Sequence, residues 1–178
     1  MSDNSYNDFM ALARDRFSCR DYDSARPVSD NDVSRVLEAA RISPSACNRQ
    51  PWHFFVVRDS AVRAAMLAKS RPAFVTAPVL IVCCGVHTEA WHRPADNKDH
   101  TDIDMAIAIQ QMCLAATAAG MATCWICSFD TQAVRDALTL PEDMEPVALL
   151  PLGYANTAVY PEVPQKIRKS LDDIVTCI

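Results

Sequence analysis

Four short stretches of the sequence carry side chains whose types and spacing could do chemistry. The first is Arg16-Phe17-Ser18-Cys19-Arg20. In an extended segment successive side chains alternate between faces, so Arg16, Ser18 and Arg20 share one face. Two guanidinium groups flanking a hydroxyl can grip a phosphate. On its own the stretch also reads as a solvated basic turn. The second is Pro44-Ser45-Ala46-Cys47-Asn48-Arg49-Gln50-Pro51-Trp52. Ser, Asn and Gln supply donors and acceptors, and two prolines stiffen the backbone that presents them. Such a loop suits a flat heteroaromatic ring edged with carbonyls and N–H groups, or is an ordinary helix-to-strand turn with Trp52 in the core.

The third stretch runs from Gly120 to Asp130 and contains Cys124-Trp125-Ile126-Cys127. The fourth, Lys166-Ile167-Arg168-Lys169, is a basic cluster near the end of an otherwise acidic chain. It is a second candidate for phosphate contact, or a solvated charge run.

These stretches need elements to hold them. Tyr6, Phe9, Met10 and Ala13 fall at helical spacing and predict a helix over about 4–13. Ser29 with Asp32 resembles a capping box, followed by a helical stripe of Val33, Val36, Leu37 and Ala40. Strands are expected over 53–57, 78–84, 122–126 and 147–154. A short helix is expected after Ser60 and another, capped by Thr131, through Leu138. From about Asp102 to Ala119 the chain is apolar on nearly every face, which predicts a buried central helix ended by Gly120. Between them, 86–101 is a polar loop holding three of the four histidines. Helices and strands mixed at uneven spacing favour an α+β domain over a doubly wound sheet.

Composition narrows the function classes. The 178 residues fit one domain; 50% are hydrophobic and 22% charged. A net charge of −5 argues against nucleic acid or an anionic membrane as partner. No apolar run approaches the ~20 residues a bilayer requires, and the polar start lacks a signal core, so a cytoplasmic protein is expected. Eight cysteines without an export signal are expected to be reduced and mostly buried. Only three glycines, Gly85, Gly120 and Gly153, leave no G-x-G-x-x-G and no Walker-type loop. A bound phosphate must therefore be held by side chains.

Taken together and in this order, the four stretches resemble the nitroreductase family of FMN-dependent oxidoreductases. Arg16-x-Ser18-x-Arg20 is similar to the family's R-x-S-x-R phosphate motif, and Pro44-Ser45-x-x-Asn48-x-Gln50-Pro51-Trp52 to its P-S-x-x-N-x-Q-P-W loop. Asp104 to Met112 resembles its long central helix, and Cys124-Trp125-Ile126 the strand end that reaches the flavin. Pro151-Leu152-Gly153-Tyr154 and Lys166-x-Arg168-Lys169 resemble its last strand and basic tail.

The resemblance implies a three-layer α+β sandwich, a central and mostly antiparallel sheet flanked by helices, in an intertwined homodimer. Residues 1–178 would form one FMN-binding domain, with a tail from about 155 to 178 packing on the dimer partner. Arg16, Ser18 and Arg20 would hold the FMN phosphate and ribityl chain, joined by Lys166 and Arg168. Pro44, Ser45 and Asn48 would reach the ring from the opposite subunit, with Gln50 a further polar contact. Trp125 and Ile126 would lie near the ring, and backbone N–H groups of Cys127 and Ser128 would face its N5.

The implied reaction is electron transfer from NAD(P)H to a nitroaromatic, quinone or related small-molecule acceptor, in ping-pong order. The cofactor carries the chemistry, so no catalytic side chain and no metal is expected. A reductive dehalogenase, an enone reductase and a flavin-storage module share the same implied site.

Two features depart from the family pattern or compete with it. Cys127 stands where relatives usually have a small residue, often Gly. Cys124 and Cys127 could form a redox dithiol, yet positions three apart on a strand point to opposite faces, which disfavours a disulfide. His87, His92 and His100 with Asp96 and Asp99 could suggest a metal, but their spacing fits no compact ligand pattern. That loop is expected instead to overhang the site and shape the choice of acceptor.

Overall fold

A computed structural model describes residues 3–178. Its single sheet contains β1 (Trp52–Val57), β2 (Val79–Val86), β3 (Ala122–Thr123) and β4 (Met144–Gly153). The order across the sheet is β1-β2-β4-β3, and all neighbours are antiparallel. β2 sits at the centre because it offers no polar face: every residue but Val86 is buried.

Alternation along β2 divides the core in two. Val79, Ile81 and Cys83, with Ala148, Leu150 and Leu152 of β4, face one helical layer. That layer is α2 (Asp30–Arg41), through Val33, Val36 and Ala40, and α4 (Thr101–Ala118), through Met105, Ile109 and Met112. The first helix, α1 (Asp3–Asp15), packs on α4. Leu80, Val82, Cys84 and Leu149 face the other layer. It holds Met66 and Leu67 of α3 (Ser60–Leu67), Phe74, and Val134 of α5 (Thr131–Leu138). The result is the expected α+β sandwich of three layers.

Local chemistry explains the boundaries. Ser29 Oγ accepts the Asp32 N–H at 3.1 Å and its hydroxyl donates to the Asp32 carboxylate at 2.7 Å, so Ser29 caps α2 where the sequence placed its start. Gly120 takes φ 71° after α4, the left-handed turn expected of it. α5 differs from expectation. Its cap is Asp130, not Thr131, and the carboxylate accepts the N–H groups of Gln132 and Ala133 at 3.1 and 3.2 Å. An anion there also meets the positive end of the helix.

Two further differences bear on the site. The strand expected over 122–126 pairs only at Ala122 and Thr123, then again at Ile126 opposite Leu149. Leu149 and Ile126 exchange both backbone hydrogen bonds at 2.9 Å. In this antiparallel register the next such pair sets Cys124 against Pro151. Proline has no N–H to donate, so the ladder lapses and frees the backbone at Cys124 and Trp125.

The central helix, expected to be buried all round, is buried on one face only. Ile103 and Ile107 are 40% and 36% exposed. With Ala106, Leu114 and Phe9 of α1 they line an open apolar groove of about 650 Å³.

The tail begins on its own chain. Ala155 bridges Tyr22, and Asn156 donates its backbone N–H and side-chain amide to the Asp21 carbonyl and carboxylate at 3.1 and 2.9 Å. Beyond it, Ile167, Leu171 and Ile174 are exposed.

Candidate functional site

After α1 ends, residues 16–20 run extended alongside β3. Ser18 pairs with Thr123, and the Cys19 N–H donates to the Thr123 carbonyl at 2.9 Å. Cys19 is wholly buried. Its thiol is pushed up to about 11, chiefly by that burial. With Cys19 turned inward, Arg16, Ser18 and Arg20 together line a cavity of about 440 Å³. The far wall comes from the tail: Tyr160, Lys166 and Arg168. The structure thus joins two basic clusters that lie nearly 150 residues apart in sequence.

Tyr160 is the hinge of this arrangement, and the sequence analysis missed it. Its ring lies 5.1 Å from that of Phe17, and its hydroxyl accepts the Arg20 backbone N–H at 3.2 Å. An aromatic residue amid a polar tail was the available signal.

Lys166 carries the electrostatic character of the cavity. Its Nζ is buried and has no hydrogen-bond partner among the described residues. Burial first, then the nearby charges of Arg16 and Arg168, push its ammonium below the usual lysine range, while Asp15 acts the other way. Clustered cations around an unpartnered ammonium are costly unless an anion joins them. The cavity thus gathers Arg16, Arg20, Lys166 and Arg168 around one space, a donor set that an anion would complement.

A second cavity, of about 620 Å³, shares Arg20 with the first. One wall is Trp125, Ile126, Cys127 and Ser128, the segment that the Pro151 interruption releases from the sheet. The other is Lys69, Ser70 and Arg71, another stretch unrecognised in the sequence. The Ser70 hydroxyl donates to the Ser128 carbonyl at 2.9 Å, and Lys69 pairs with Asp130, so the two walls are tied together. These residues follow an unremarkable amphipathic helix, and no periodic signal marks them.

The loop of Pro44, Ser45, Asn48 and Gln50 lines neither cavity. Pro44, Asn48 and Gln50 are exposed and Ser45 half-buried. Cys47, Asn48 and Gln50 hold φ of 49°, 54° and 53°, a region that costs non-glycine residues strain. Ser45 Oγ accepts the Gln50 N–H at 2.8 Å, and the Gln50 side chain donates to the Asn48 carbonyl at 3.2 Å.

Cys124 is buried and Cys127 exposed, and both are free thiols. Burial pushes the Cys124 thiol up, against the opposing effects of Arg20 and Ser18. A buried thiol so shifted is a poor nucleophile. In the 86–101 loop, His87 lies between two carboxylates, Nδ1 at 2.8 Å from Asp99 and Nε2 at 2.7 Å from Glu145, and His92 is 3.5 Å from Asp99. Among the described residues no group of three or more His, Cys, Asp or Glu is arranged to hold a metal ion. Nor is any helix there long and apolar enough to cross a membrane.

An antiparallel sheet covered by helices on both faces, with a basic cavity that shares Arg20 with a larger one, is the arrangement to set beside known proteins. The model of the nitroreductase family matches residues 13–74 and 65–154. A protein of Archaeoglobus fulgidus, named as an NADH dehydrogenase/NAD(P)H nitroreductase, is 34% identical over 78% of this chain and 80% of its own. An oxygen-insensitive NADPH nitroreductase of Helicobacter pylori is 26% identical over 93% and 94% of the two chains. The crystal structure of a nitroreductase family protein from Clostridium difficile 630 superposes with TM-score 0.77 at 34% identity, covering 93% of this chain and 95% of that one. The chain belongs to the nitroreductase family, and with it to the oxidoreductases.

Proposed function

We propose that the chain binds FMN and passes electrons from NADH or NADPH to a conjugated acceptor such as a nitroaromatic or a quinone. The observation that carries this reading is the unpartnered Lys166 ammonium beside Arg16 and Arg168 in a cavity lined by Ser18 and Arg20. That donor set fits a phosphate monoester. The adjoining cavity is of a size for a flat ring, and Arg20, common to both, suits the chain between phosphate and ring.

On this reading Arg16, Ser18, Arg20, Lys166 and Arg168 hold the phosphate and ribityl chain. Trp125 and Ile126 flank the ring, and the backbone N–H groups of Cys127 and Ser128 address its N5 edge. Bound FMN supplies the hydride and electron chemistry. The residues lining the larger cavity would orient the ring. Cationic Arg20 and Arg71 with fixed N–H donors favour negative charge on the ring when it is reduced. With a single site beside Trp125 and Cys127, donor and acceptor would have to bind in turn, which corresponds to ping-pong order.

The working unit is a homodimer. The groove around Ile103, Ile107 and Phe9 is the apolar face that a second copy covers, and the exposed apolar residues of the tail pack on that copy. Pro44, Ser45, Asn48 and Gln50, which miss the cavities of their own chain, reach the ring bound by the other. Reconstitution tests the reading: purified chain binds one FMN per subunit and then oxidises NAD(P)H with a quinone or nitroaromatic acceptor. Failure to bind FMN overturns it.

A further inference from the structure

The 44–50 loop is tied to a residue far away in sequence. Asp104, in the first turn of α4, is 2% exposed. Its Oδ1 accepts the Ala46 N–H at 2.9 Å, whereas its Oδ2 has no hydrogen-bond partner among the described residues. A carboxylate buried with one oxygen unused is costly to keep where an apolar residue could pack. Its position in the first helical turn eases that cost but does not require it. What Asp104 gives in return is an anchor at the start of the turn Ala46–Asn48, just before three residues of positive φ. The bonds from Gln50 to Ser45 and Asn48 are internal to the loop and cannot fix it relative to the domain.

We propose that Asp104 is the positioning residue for the flavin contact: by holding the Ala46 N–H it sets the backbone from which Ser45 and Asn48 reach the ring. This rests on the function proposed above. Asp104 touches neither ring nor substrate. Its influence passes through the loop, so it alters how the ring is held and tuned more than whether the domain folds.

Two substitutions break the same bond from opposite ends. Asp104→Ala removes the acceptor. Ala46→Pro removes the donor and fits locally, because position 46 opens the turn and Ser45 already has φ −141° and ψ 160° as a residue before proline should. Asp104→Asn keeps an acceptor oxygen for the Ala46 N–H. FMN affinity, the visible flavin spectrum and the flavin midpoint potential are measured for each full-length protein. Asp104→Ala and Ala46→Pro are each expected to weaken FMN about tenfold and to shift spectrum and potential alike, with the double variant no worse than either. Asp104→Asn is expected to stay near wild type. Additive losses, or a wild-type spectrum and affinity in Ala46→Pro, overturn the assignment even if Asp104→Ala fails to fold. A wild-type chain that takes up no FMN overturns the underlying reading and this inference with it; a wild-type chain that binds FMN beside unaffected variants overturns this inference alone.

Discussion

An ammonium group left without an acceptor beside two guanidinium groups lowers the stability of any fold that contains it. Lys166 is such a group, and its worth must come from what it binds. The Lys166→Ala variant should therefore separate binding from stability. Loss of one charge-assisted contact, about 1.5–3 kcal/mol, weakens FMN roughly tenfold to a hundredfold. The flavin-free variant should melt no lower than wild type, since a repulsive charge has gone. Flavin-fluorescence titration and thermal melts check both. Unchanged affinity with a lower melting point would make Lys166 a structural residue instead. At this scale the sequence was partly legible. Arg16, Ser18 and Arg20 could be placed on one face because strand periodicity is two. Lys69, Arg71 and Asp104 could not be found, because each acts through a contact made only when distant segments meet, whereas Tyr160 had a weak signal in its aromatic ring amid a polar tail.

Elements set the shape of the site through their interruptions. The expected strand over 122–126 failed at Cys124 and Trp125 because its partner position is Pro151, and pairing between strands is invisible to a reading of one strand at a time. The same failure frees the segment that walls the larger cavity. The 86–101 loop is positioned by charge. Thr88 donates to Asp143 at 3.0 Å, and His87 joins Asp99 to Glu145, with His92 also facing Asp99. The hydrogen bond to Asp99 first, against burial and with help from Glu145, holds the His87 imidazole above its ordinary value. Burial pushes Asp99 up, but its bonds to Thr101 and His87 more than reverse this and hold it down at about 2. A histidine raised in the folded state contributes stability that is fully present below its unfolded value, ~6.5, and is lost as pH rises through the folded one. His87→Asn should thus lower the melting point most near pH ~5.5 and least near pH ~8.5. The groups are partly exposed, so the largest gap should stay within about 1 kcal/mol, or roughly 4 °C. A gap that widens with rising pH would contradict this account of the loop.

The whole molecule was legible in its layers and less so in its assembly. Apolar runs placed the central strands over 78–84 and 147–154, against the observed Val79–Val86 and Met144–Gly153, and the apolar 102–119 stretch placed the central helix, observed at Thr101–Ala118. That helix was read as buried on all sides because its apolar residues run right round it, and the sequence does not say what covers each face. Its second face, with Ile103 and Ile107, lies open here. A charge at its centre, Ile107→Asp, should leave a folded monomer by analytical ultracentrifugation. That monomer should also lose FMN, because Ser45 and Asn48 of a second copy would no longer reach the ring. A wild-type chain that is itself monomeric at micromolar concentration, with FMN bound, would contradict the dimeric site.

The central claim is that this chain holds FMN in a form that NAD(P)H can reduce. It is tested most directly by one spectrum. Purified protein reconstituted with FMN is freed of unbound flavin, placed under anaerobic conditions and mixed with NADH or NADPH. Flavin bands (roughly 370 and 450 nm, set by the cofactor itself) should be present and should bleach on mixing. Bound flavin that neither donor bleaches would contradict the reductase and leave a flavin-binding protein. Protein that retains no flavin at all would contradict the cofactor assignment built on Arg16, Arg20, Lys166 and Arg168.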